Sequence, residues 1–312
     1  MQNHTIGIDI SKDRLDVHRL PDGTSHAFSN DRQGTSALAK WLSASPVDRI
    51  VFEATGQYHQ LLEKNLGREG FPLAKVNPRQ ARRFAEAAGV LAKTDTVDAV
   101  ILARLGQALA PALSPAPDEQ IMALKELHLA RHALIKDRTA SRNRLKRVTL
   151  PLLKRQIRLR LEQIERQLAA VNTEMIALVK ANGKLRRQFE ILLSIPGIAE
   201  AAAMALLAEM PELGGLENKH AASLAGLAPA TRQSGKWTGR ARIRGGRRLA
   251  RQALYMPALA ACRFNPDLAR TYQRLREQGK PSKIAITAVM RKLLVLANAL
   301  IKKDQCWQPS AC

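Results

Sequence analysis

An alternating apolar run near the start of the chain constrains the fold most. Between residues 5 and 10 an isoleucine occupies every second position, while Gly7 and Asp9 fall on the opposite face. A period of two predicts a β-strand with one apolar face. The runs at 15–20 and 26–28 are expected to be its partner strands, because a Pro-Asp-Gly turn separates them.

After these three strands, helices and strands alternate up to residue 110. We expect helices at 33–43, 58–69, 78–88 and 94–109, and strands at 49–53 and 71–76. Three meandering strands followed by this alternation are typical of the RNase H-like fold, in the mixed α/β class. An actin-like ATPase also opens on an apolar strand that ends in Asp. It needs glycines directly afterwards to hold phosphates, whereas Ser11 and Lys12 follow here.

Four acids in this segment stand where a metal site could form. Asp9 ends the first predicted strand and Glu53 the fourth, while Asp95 and Asp98 lie three apart at a predicted helix start. If the two strands are neighbours, the four carboxylates converge. Carboxylates within ~4–6 Å of one another cannot all stay ionised without a cation. Oxygen ligands select Mg²⁺, for which Mn²⁺ can substitute. Taken singly, each acid could instead be an ordinary strand-end or helix-capping residue.

The positive charge of the chain is unevenly distributed. Of the net charge of +23, residues 1–110 carry +2 and residues 111–312 carry +21, with prolines 111, 115 and 117 at the boundary. Such an excess favours a polyanionic partner over a neutral metabolite. Three cysteines exclude a disulfide scaffold and a cysteine zinc module. Uncharged apolar runs stay short of 18 residues and the start lacks a signal-peptide pattern, so we expect a cytoplasmic protein with no membrane partner.

A heptad pattern follows this boundary and predicts a short coiled coil. Its apolar positions are Ile157, Leu161, Ile164, Leu168, Val171, Met175 and Leu178. A second, less regular helix is expected at 119–149. The seam could join the two helices of an intramolecular hairpin, or it could be a contact between copies of the chain. In either case the arginine-rich outer faces could follow a phosphate backbone.

The C-terminal part is predicted to be mainly helical. Residues 191–210 form a helix, a Pro196-Gly197 turn and an Ala-rich helix, which is the pattern of a helix-hairpin-helix. In that motif, backbone N–H groups contact a DNA phosphate without reading sequence. The same pattern could instead be an ordinary helical corner that binds no phosphate. Further helices are expected at 249–262, 266–277 and 283–302.

The segment 231–251 is the densest candidate for a nucleic-acid contact, with eight Lys/Arg, four glycines and no acid. The candidate nucleic-acid-binding residues are Arg232, Lys236, Arg240, Arg242, Arg244, Arg247, Arg248 and Arg251, together with Arg82, Arg83 and Gly197. Ser234 lies inside this segment. With no histidine nearby in sequence to accept its proton, it is on residue chemistry alone an ordinary loop serine.

These motifs together resemble the DEDD-type insertion-sequence transposases, a family described as bridge-RNA-guided recombinases. The resemblance rests on GIDISKDRLDV (7–17), FEATGQY (52–58), NPRQARRFA (77–85), KTDTVDA (93–99), SIPGI (194–198), AGLAPATRQSGK (225–236) and GKPSKIAITAVMRKLL (279–294). It implies a RuvC-like domain at 1–110 and a linker with a basic coiled-coil arm at 111–185. It also implies a mainly helical transposase domain at 186–312.

The resemblance also implies a mechanism. Asp9, Glu53, Asp95 and Asp98 match the family's DEDD acids, which would bind Mg²⁺, and Ser234 matches the catalytic serine. That serine would attack a DNA phosphodiester and hold one end as a phosphoserine. The implied partners are donor and target DNA, a structured noncoding guide RNA that pairs with both, and further copies of the chain, as dimers that pair into a tetramer. The implied location is cytoplasmic, at the nucleoid.

Two other functions remain open. The chain could be a RuvC-like, metal-dependent nuclease or transposase in which Ser234 only binds phosphate. It could also be a non-catalytic nucleic-acid-binding protein whose acids cap helices. A Ser234→Ala variant separates the first of these from the recombinase, and an Asp9→Asn variant separates the second.

Overall fold

In a computed structural model, the chain folds into two units, Met1–Asp118 and Glu119–Cys312. The structure describes residues 4–54, 56, 58–90, 95–114, 118–231, 233–234, 237–239 and 241–309, without the side chains of 95, 96, 233, 237 and 238.

One mixed sheet of five strands forms the centre of the N-terminal unit. The strands are β1 (His4–Ile10), β2 (Arg14–Leu20), β3 (Thr24–Ser29), β4 (Val47–Glu53) and β5 (Leu73–Val76). Their spatial order is β3-β2-β1-β4-β5. The first three strands are antiparallel, whereas β4 runs parallel to β1 and β5 parallel to β4. The mixed α/β prediction for this unit is therefore confirmed.

Helices cover both faces of this sheet. They are α1 (Arg32–Leu42), α2 (Gln60–Arg68), α3 (Pro78–Ala87) and α4 (Asp95–Leu109). Ile6 and Ile8 of β1 pack with Leu38 of α1 and with α2 on one face. Val51 of β4 packs with Leu102 of α4 and with α3 on the other. Alternate positions of β1 and β4 are buried on opposite faces because the strand period is two.

Helix α4 lies unusually close to the sheet because Gly7 has no side chain. A Cβ atom at Gly7 would lie 2.1 Å from the carbonyl oxygen of Ala99 and 2.3 Å from the backbone nitrogen of Ala103. A Cβ atom at Gly106, one turn beyond Ala103 on α4, would likewise lie 2.6 Å from a methyl carbon of Thr5 and 2.6 Å from one of Val51. Small residues on both elements thus fix the height of α4 above β1 and β4.

The C-terminal unit is mainly helical, as predicted. Its helices are α5 (Glu119–Leu145), α6 (Pro151–Ala181), α7 (Gly183–Ser194), α8 (Glu200–Glu209), α9 (Asn218–Leu224), α10 (Arg248–Phe264), α11 (Pro266–Glu277) and α12 (Ser282–Lys303). Helix α8 is buried along most of its length, from Ala203 to Glu209. Its alanines allow α5, α7 and α10 to pack around it.

Helices α5 and α6 form an intramolecular hairpin, which is one of the two arrangements that the heptad pattern allowed. The seam residues Ile164, Leu168 and Met175 are buried. Across the hairpin, Glu165 on α6 accepts hydrogen bonds from Arg142 and Arg138 on α5 at 3.0 and 3.3 Å. A contact between copies through this seam stays a prediction.

Helix α12 is the one helix among the described residues that is long and apolar enough to cross a membrane by length and composition. The sequence predicted this helix at 283–302, and Arg291 and Lys292 keep its uncharged apolar runs short. Val289, Leu293 and Leu294 of this helix are fully buried in the core of the C-terminal unit. Such packing is that of a core helix.

Four short strands are described after residue 228, where the sequence placed Ser234 in a loop. Strand β6 (Pro229–Ala230) pairs with β9 (Arg242–Ile243), and β7 (Gln233–Ser234) pairs with β8 (Trp237–Thr238). We call residues 229–243 the serine hairpin. Two-residue strands are too short to show a period of two, and glycines and arginines are typical of loops, so no sequence pattern indicates these strands.

Candidate active site

Asp9 and Glu53 lie at the ends of neighbouring parallel strands. Ile8 of β1 is in register with Phe52 of β4, so the two acids occupy the next positions along the chain. Both are half-buried. Because Gly7 pairs with Val51 and strand side chains alternate, Asp9 and Glu53 lie on the sheet face that α4 covers.

Asp98 reaches the same side of the sheet from α4. It directly precedes Ala99, whose carbonyl oxygen is the atom closest to the missing Cβ of Gly7. Asp98 is half-buried, and Asp95 begins the helix, with its side chain outside the described atoms. Among the side chains that are described, no group of three potential ligands forms a metal centre. The four-carboxylate metal site therefore stays a prediction.

A fifth acid beside this set was not anticipated from the sequence. Asp16 of β2 is in register with Asp9 and is 6% exposed. Arg14 donates hydrogen bonds to its carboxylate from Nε at 3.0 Å and from a terminal nitrogen at 2.6 Å. The Arg-X-Asp spacing could have indicated this pair, since residues two apart share a strand face. The negative charge of Asp16 is thus balanced by the Arg14 guanidinium.

Ser234 lies in the serine hairpin, away from the helical core of its unit. It belongs to β7, pairs with Trp237 of β8 and is exposed. Residues 235 and 236 between these strands, like Arg232 and Arg240, lie outside the described residues. An exposed hydroxyl in a short hairpin is accessible to a large substrate such as a nucleic-acid backbone.

The two ends of the serine hairpin meet at a glycine contact. Gly226 and Gly246 both have positive φ angles, of 68° and 65°. A Cβ atom on Gly246 would lie 2.1 Å from the backbone nitrogen of Gly226. Arg251 of α10 closes the contact by donating to the carbonyl oxygens of Gly245 at 2.8 Å and Gly226 at 3.3 Å. We call residues 224–226 and 245–251 the hairpin base.

An ion pair ties the hairpin base to the end of α8. Both terminal nitrogens of Arg247 donate to the Glu212 carboxylate, at 2.8 and 2.6 Å, and one of them also donates to the backbone carbonyl of Glu209 at 2.5 Å. Burial raises the pKa of Glu212, but the hydrogen bonds and charge of Arg247 outweigh it and hold that pKa below its ordinary value. The Glu212 carboxylate therefore remains ionised at neutral pH.

A buried pair lies next to this half-buried bridge. His128 Nε2 of α5 is 3.9 Å from the Oε1 atom of Glu209, and both residues are buried. Burial, followed by the charges of Arg131, His132 and Lys125, lowers the pKa of His128 to about 4. Burial raises the pKa of Glu209. His128 is therefore neutral at neutral pH.

An Arg247→Gln variant should lower the free energy of unfolding by about 2 kcal/mol, because it leaves the Glu212 carboxylate partly buried without its cation. Arg248→Gln is the matched control, since Arg248 is the next residue and is exposed. It should change stability by less than about 0.5 kcal/mol. Urea unfolding followed by circular dichroism measures both, and equal values would contradict a structural role for Arg247.

Several of the predicted nucleic-acid-binding residues contact other parts of the protein. Arg247 and Arg251 bind groups within and beside the hairpin base. Gly197 lies against α10, where a Cβ atom would be 2.7 Å from the carbonyl oxygen of Pro257, and this close packing explains the glycine. Arg82 pairs with Glu86 at 3.2 Å. The remaining described candidates are exposed: Arg83, Arg242, Arg244 and Arg248. Arg232, Lys236 and Arg240 lie outside the described residues.

Comparison with known proteins places both candidate regions in one family. Residues 6–152 match a model described as a transposase, of the IS110 DEDD type, and residues 189–273 match the model for the transposase IS116/IS110/IS902 family. The first match contains the four acids and the second contains Ser234. Together they cover more than half of the chain.

Curated relatives agree with these matches. The pilin gene-inverting proteins of Moraxella bovis and Moraxella lacunata are each 29% identical over 98% of this chain and 98% of their own length. The uncharacterized 42 kDa protein of insertion element IS900 from Mycobacterium paratuberculosis is 29% identical over 47% of this chain and 39% of its own. The chain is therefore an enzyme that acts on DNA, and it belongs to the IS116/IS110/IS902 family of transposases.

Proposed function

We propose that this chain is an RNA-guided DNA recombinase that cuts and rejoins donor and target DNA through Ser234, assisted by a metal ion on Asp9, Glu53, Asp95 and Asp98. The observation that carries the proposal is the register of β1 and β4, in which Asp9 and Glu53 are neighbours on the face that α4 covers. Neighbouring carboxylates can hold a divalent ion of the kind that assists phosphodiester chemistry.

The sheet topology supports an RNase H-like, RuvC-like fold for residues 1–110. Its order β3-β2-β1-β4-β5, with an antiparallel meander followed by two parallel strands, is the arrangement of that fold. We assign residues 111–185 to a linker and helical arm, and 186–312 to the transposase domain. The helical hairpin of α5 and α6 and the helix-rich remainder are compatible with that division.

The donor chemistry of the four acids fits Mg²⁺ or Mn²⁺, because all the ligands would be carboxylate oxygens. Family membership implies divalent metal use. When bound, the ion would neutralise charge that develops on the phosphate. Asp9 and Glu53 would hold it from the sheet, and Asp95 and Asp98 from the first turn of α4. Gly7 serves this arrangement indirectly by setting the height of α4.

Ser234 would supply the nucleophile. Its Oγ would form a bond to the DNA phosphorus while the bond to one strand oxygen breaks, so that the leaving strand ends in a hydroxyl and the other end remains as a phosphoserine. The serine proton would balance the charge on the leaving oxygen. Attack of a new strand hydroxyl on the phosphoserine would reverse these steps and rejoin DNA. The exposed Arg242 and Arg244 would stabilise the added negative charge.

Guidance by a structured noncoding RNA would account for the charge of the chain. Base pairing would select donor and target sequences, while the protein would hold both nucleic acids mainly by backbone and shape. The net charge of +21 on residues 111–312 suits that role. We further propose that the chain works at the nucleoid as dimers that pair into a tetramer. Its similarity to a protein named for inverting a gene is compatible with chemistry that both cuts and rejoins.

A protein–DNA adduct tests the proposal. Purified chain, guide RNA transcribed from the flanking element, donor and target DNA and Mg²⁺ should give an adduct on a denaturing protein gel. Ser234→Ala should abolish it. Ser223→Ala, at another exposed serine of the same unit, should not. Cleavage without an adduct, equal in wild type and Ser234→Ala, would instead support a metal-dependent nuclease in which Ser234 binds phosphate.

A further inference from the structure

The turn between α5 and α6 exposes an unusual group of leucines. We call residues 142–160 the hairpin tip. In it, Leu150 is 61% exposed, Leu152 66% and Leu159 55%. Leu150 directly precedes α6 and Pro151 begins it, so Leu150 and Leu152 lie at the end of the helical hairpin, and Leu159 follows about two turns along α6. Single exposed leucines are ordinary on protein surfaces, whereas a cluster of them marks an interaction site.

The same residues carry a concentrated positive charge. The hairpin tip contains eight Lys/Arg and no acid. Arg142 pairs with Glu165 at 3.0 Å. The other seven have no carboxylate within 4.0 Å among the described side chains: Arg144, Lys146, Arg147, Lys154, Arg155, Arg158 and Arg160. The leucines are therefore surrounded by cations without anionic partners among the described residues.

This combination of groups argues for one class of partner. A second copy docked tip to tip would bring two sets of eight cations together, and like charges in contact repel by ~1 kcal/mol per pair even in water. A membrane surface would require a long apolar helix face. Here the apolar seam of α6 is buried within the hairpin from Ile164 onward, so it offers no such face to a membrane. Duplex DNA can bind both groups. Its phosphates pair with the cations, and its stacked bases, which apolar side chains reach through the minor groove, contact the leucines.

We propose that the hairpin tip inserts Leu150 and Leu152 as a wedge into the minor groove of duplex DNA, while the surrounding cations contact phosphates on both sides. Proteins that bend DNA use Leu, Ile or Pro in this way and kink the duplex by ~20–90°. An α-helix is ~10–12 Å wide and the minor groove ~6 Å, so only the turn and its leucines enter. The proposal rests on the chain acting on DNA, and it names the surface that deforms the substrate.

A DNA-bending measurement with a double variant tests the wedge. The full chain is mixed with a short duplex that carries a fluorescence-transfer pair at its ends. Wild type should shorten the end-to-end distance, and Leu150→Ala/Leu152→Ala should abolish this change and weaken binding about tenfold. Leu129→Ala/Leu193→Ala is the matched control, because these leucines are also exposed, at 45% and 37%, but lie outside the tip. It should bend DNA as wild type does.

The cations are tested separately by salt dependence. Arg155→Gln/Arg158→Gln should reduce the slope of log affinity against log salt by about 1.8, or ~0.9 for each phosphate that is no longer neutralised. The leucine variant should leave that slope unchanged. Equal slopes for wild type and the arginine variant would contradict the phosphate contacts.

Three outcomes would overturn the wedge. Unchanged bending in the leucine variant would do so directly. Loss of self-association without DNA, measured by sedimentation, would make the tip a contact between copies. Loss of binding to phosphatidylserine vesicles with unchanged DNA binding would make it a lipid contact. The adduct assay remains independent. If the leucine variant forms the adduct and still bends DNA, Ser234 remains the nucleophile and only the wedge is removed. If wild type bends DNA but forms no adduct, the wedge remains and the serine chemistry is removed.

Discussion

Replacement of Asp9 by Asn is expected to reduce DNA strand cleavage by roughly 10²–10³-fold, because it removes one carboxylate from the pair at the ends of β1 and β4. The change is nearly isosteric, so the sheet should remain folded. DNA binding should persist, since removing a negative charge does not weaken contact with a polyanion. Cleavage of labelled donor DNA and binding to the same DNA, measured side by side, test this.

Asp16→Asn provides a matched control for this variant. Asp16 lies directly opposite Asp9 on the same sheet face, but its carboxylate is engaged by Arg14. Its replacement should lower stability while leaving the cleavage rate of the folded protein near that of wild type. Equal losses of cleavage in both variants would mean that the chemistry depends on the general charge of this face, and would contradict a distinct role for Asp9.

A single methyl group at Gly7 is expected to have the largest effect on stability. Its Cβ would lie 2.1 Å from a backbone oxygen of α4, and a backbone atom cannot move aside as a side-chain end can. Gly7→Ala should therefore lower the free energy of unfolding by about 3 kcal/mol. Because α4 carries Asp95 and Asp98, cleavage should fall as well, even where the variant remains folded.

Gly183→Ala is the control for this substitution. Gly183 begins α7, has no positive φ angle and has nothing within 4 Å of its missing Cβ. Alanine there should be neutral or slightly stabilising, since it favours the helix by up to about 1 kcal/mol. Urea unfolding of the two variants and wild type measures the difference. Comparable stability of all three would mean that α4 shifts easily, and would contradict its role in fixing the acids.

The features predictable from the sequence were those with a local period. Alternation identified β1, and the strand order that followed placed Asp9 and Glu53 at strand ends. Their adjacency needed the sheet order, which the structure supplies. Heptad spacing identified the seam of α6, but it could not say whether the partner was α5 or another copy. In each case, the side chains that form the pattern lie within one element.

Features that depend on pairing across the chain left no such signal. Arg247 lies 35 residues from Glu212, so its arginine-rich neighbours gave no indication of this ion pair, and its nucleic-acid contact stays a prediction. The sequence did not indicate that Gly197 packs closely against α10, and its phosphate contact stays a prediction. The strands of the serine hairpin are two residues long, below the length at which alternation can be read. The sequence thus indicated the charged character of this segment but not the hydrogen bonds and ion pair that hold it in place.

The closed hairpin base separates the position of Ser234, the proposed nucleophile, from the stability of the core. Gly226 and Gly246 touch where the chain leaves the helices and returns, and Arg251 seals that crossing with hydrogen bonds to backbone carbonyls. Leu227, just inside the crossing, is buried in the core, so the part of the chain that can change length or composition while the crossing stays intact is the serine hairpin itself. Changes in the length of the serine hairpin would therefore move Ser234, the proposed nucleophile, without altering the helical core that carries it.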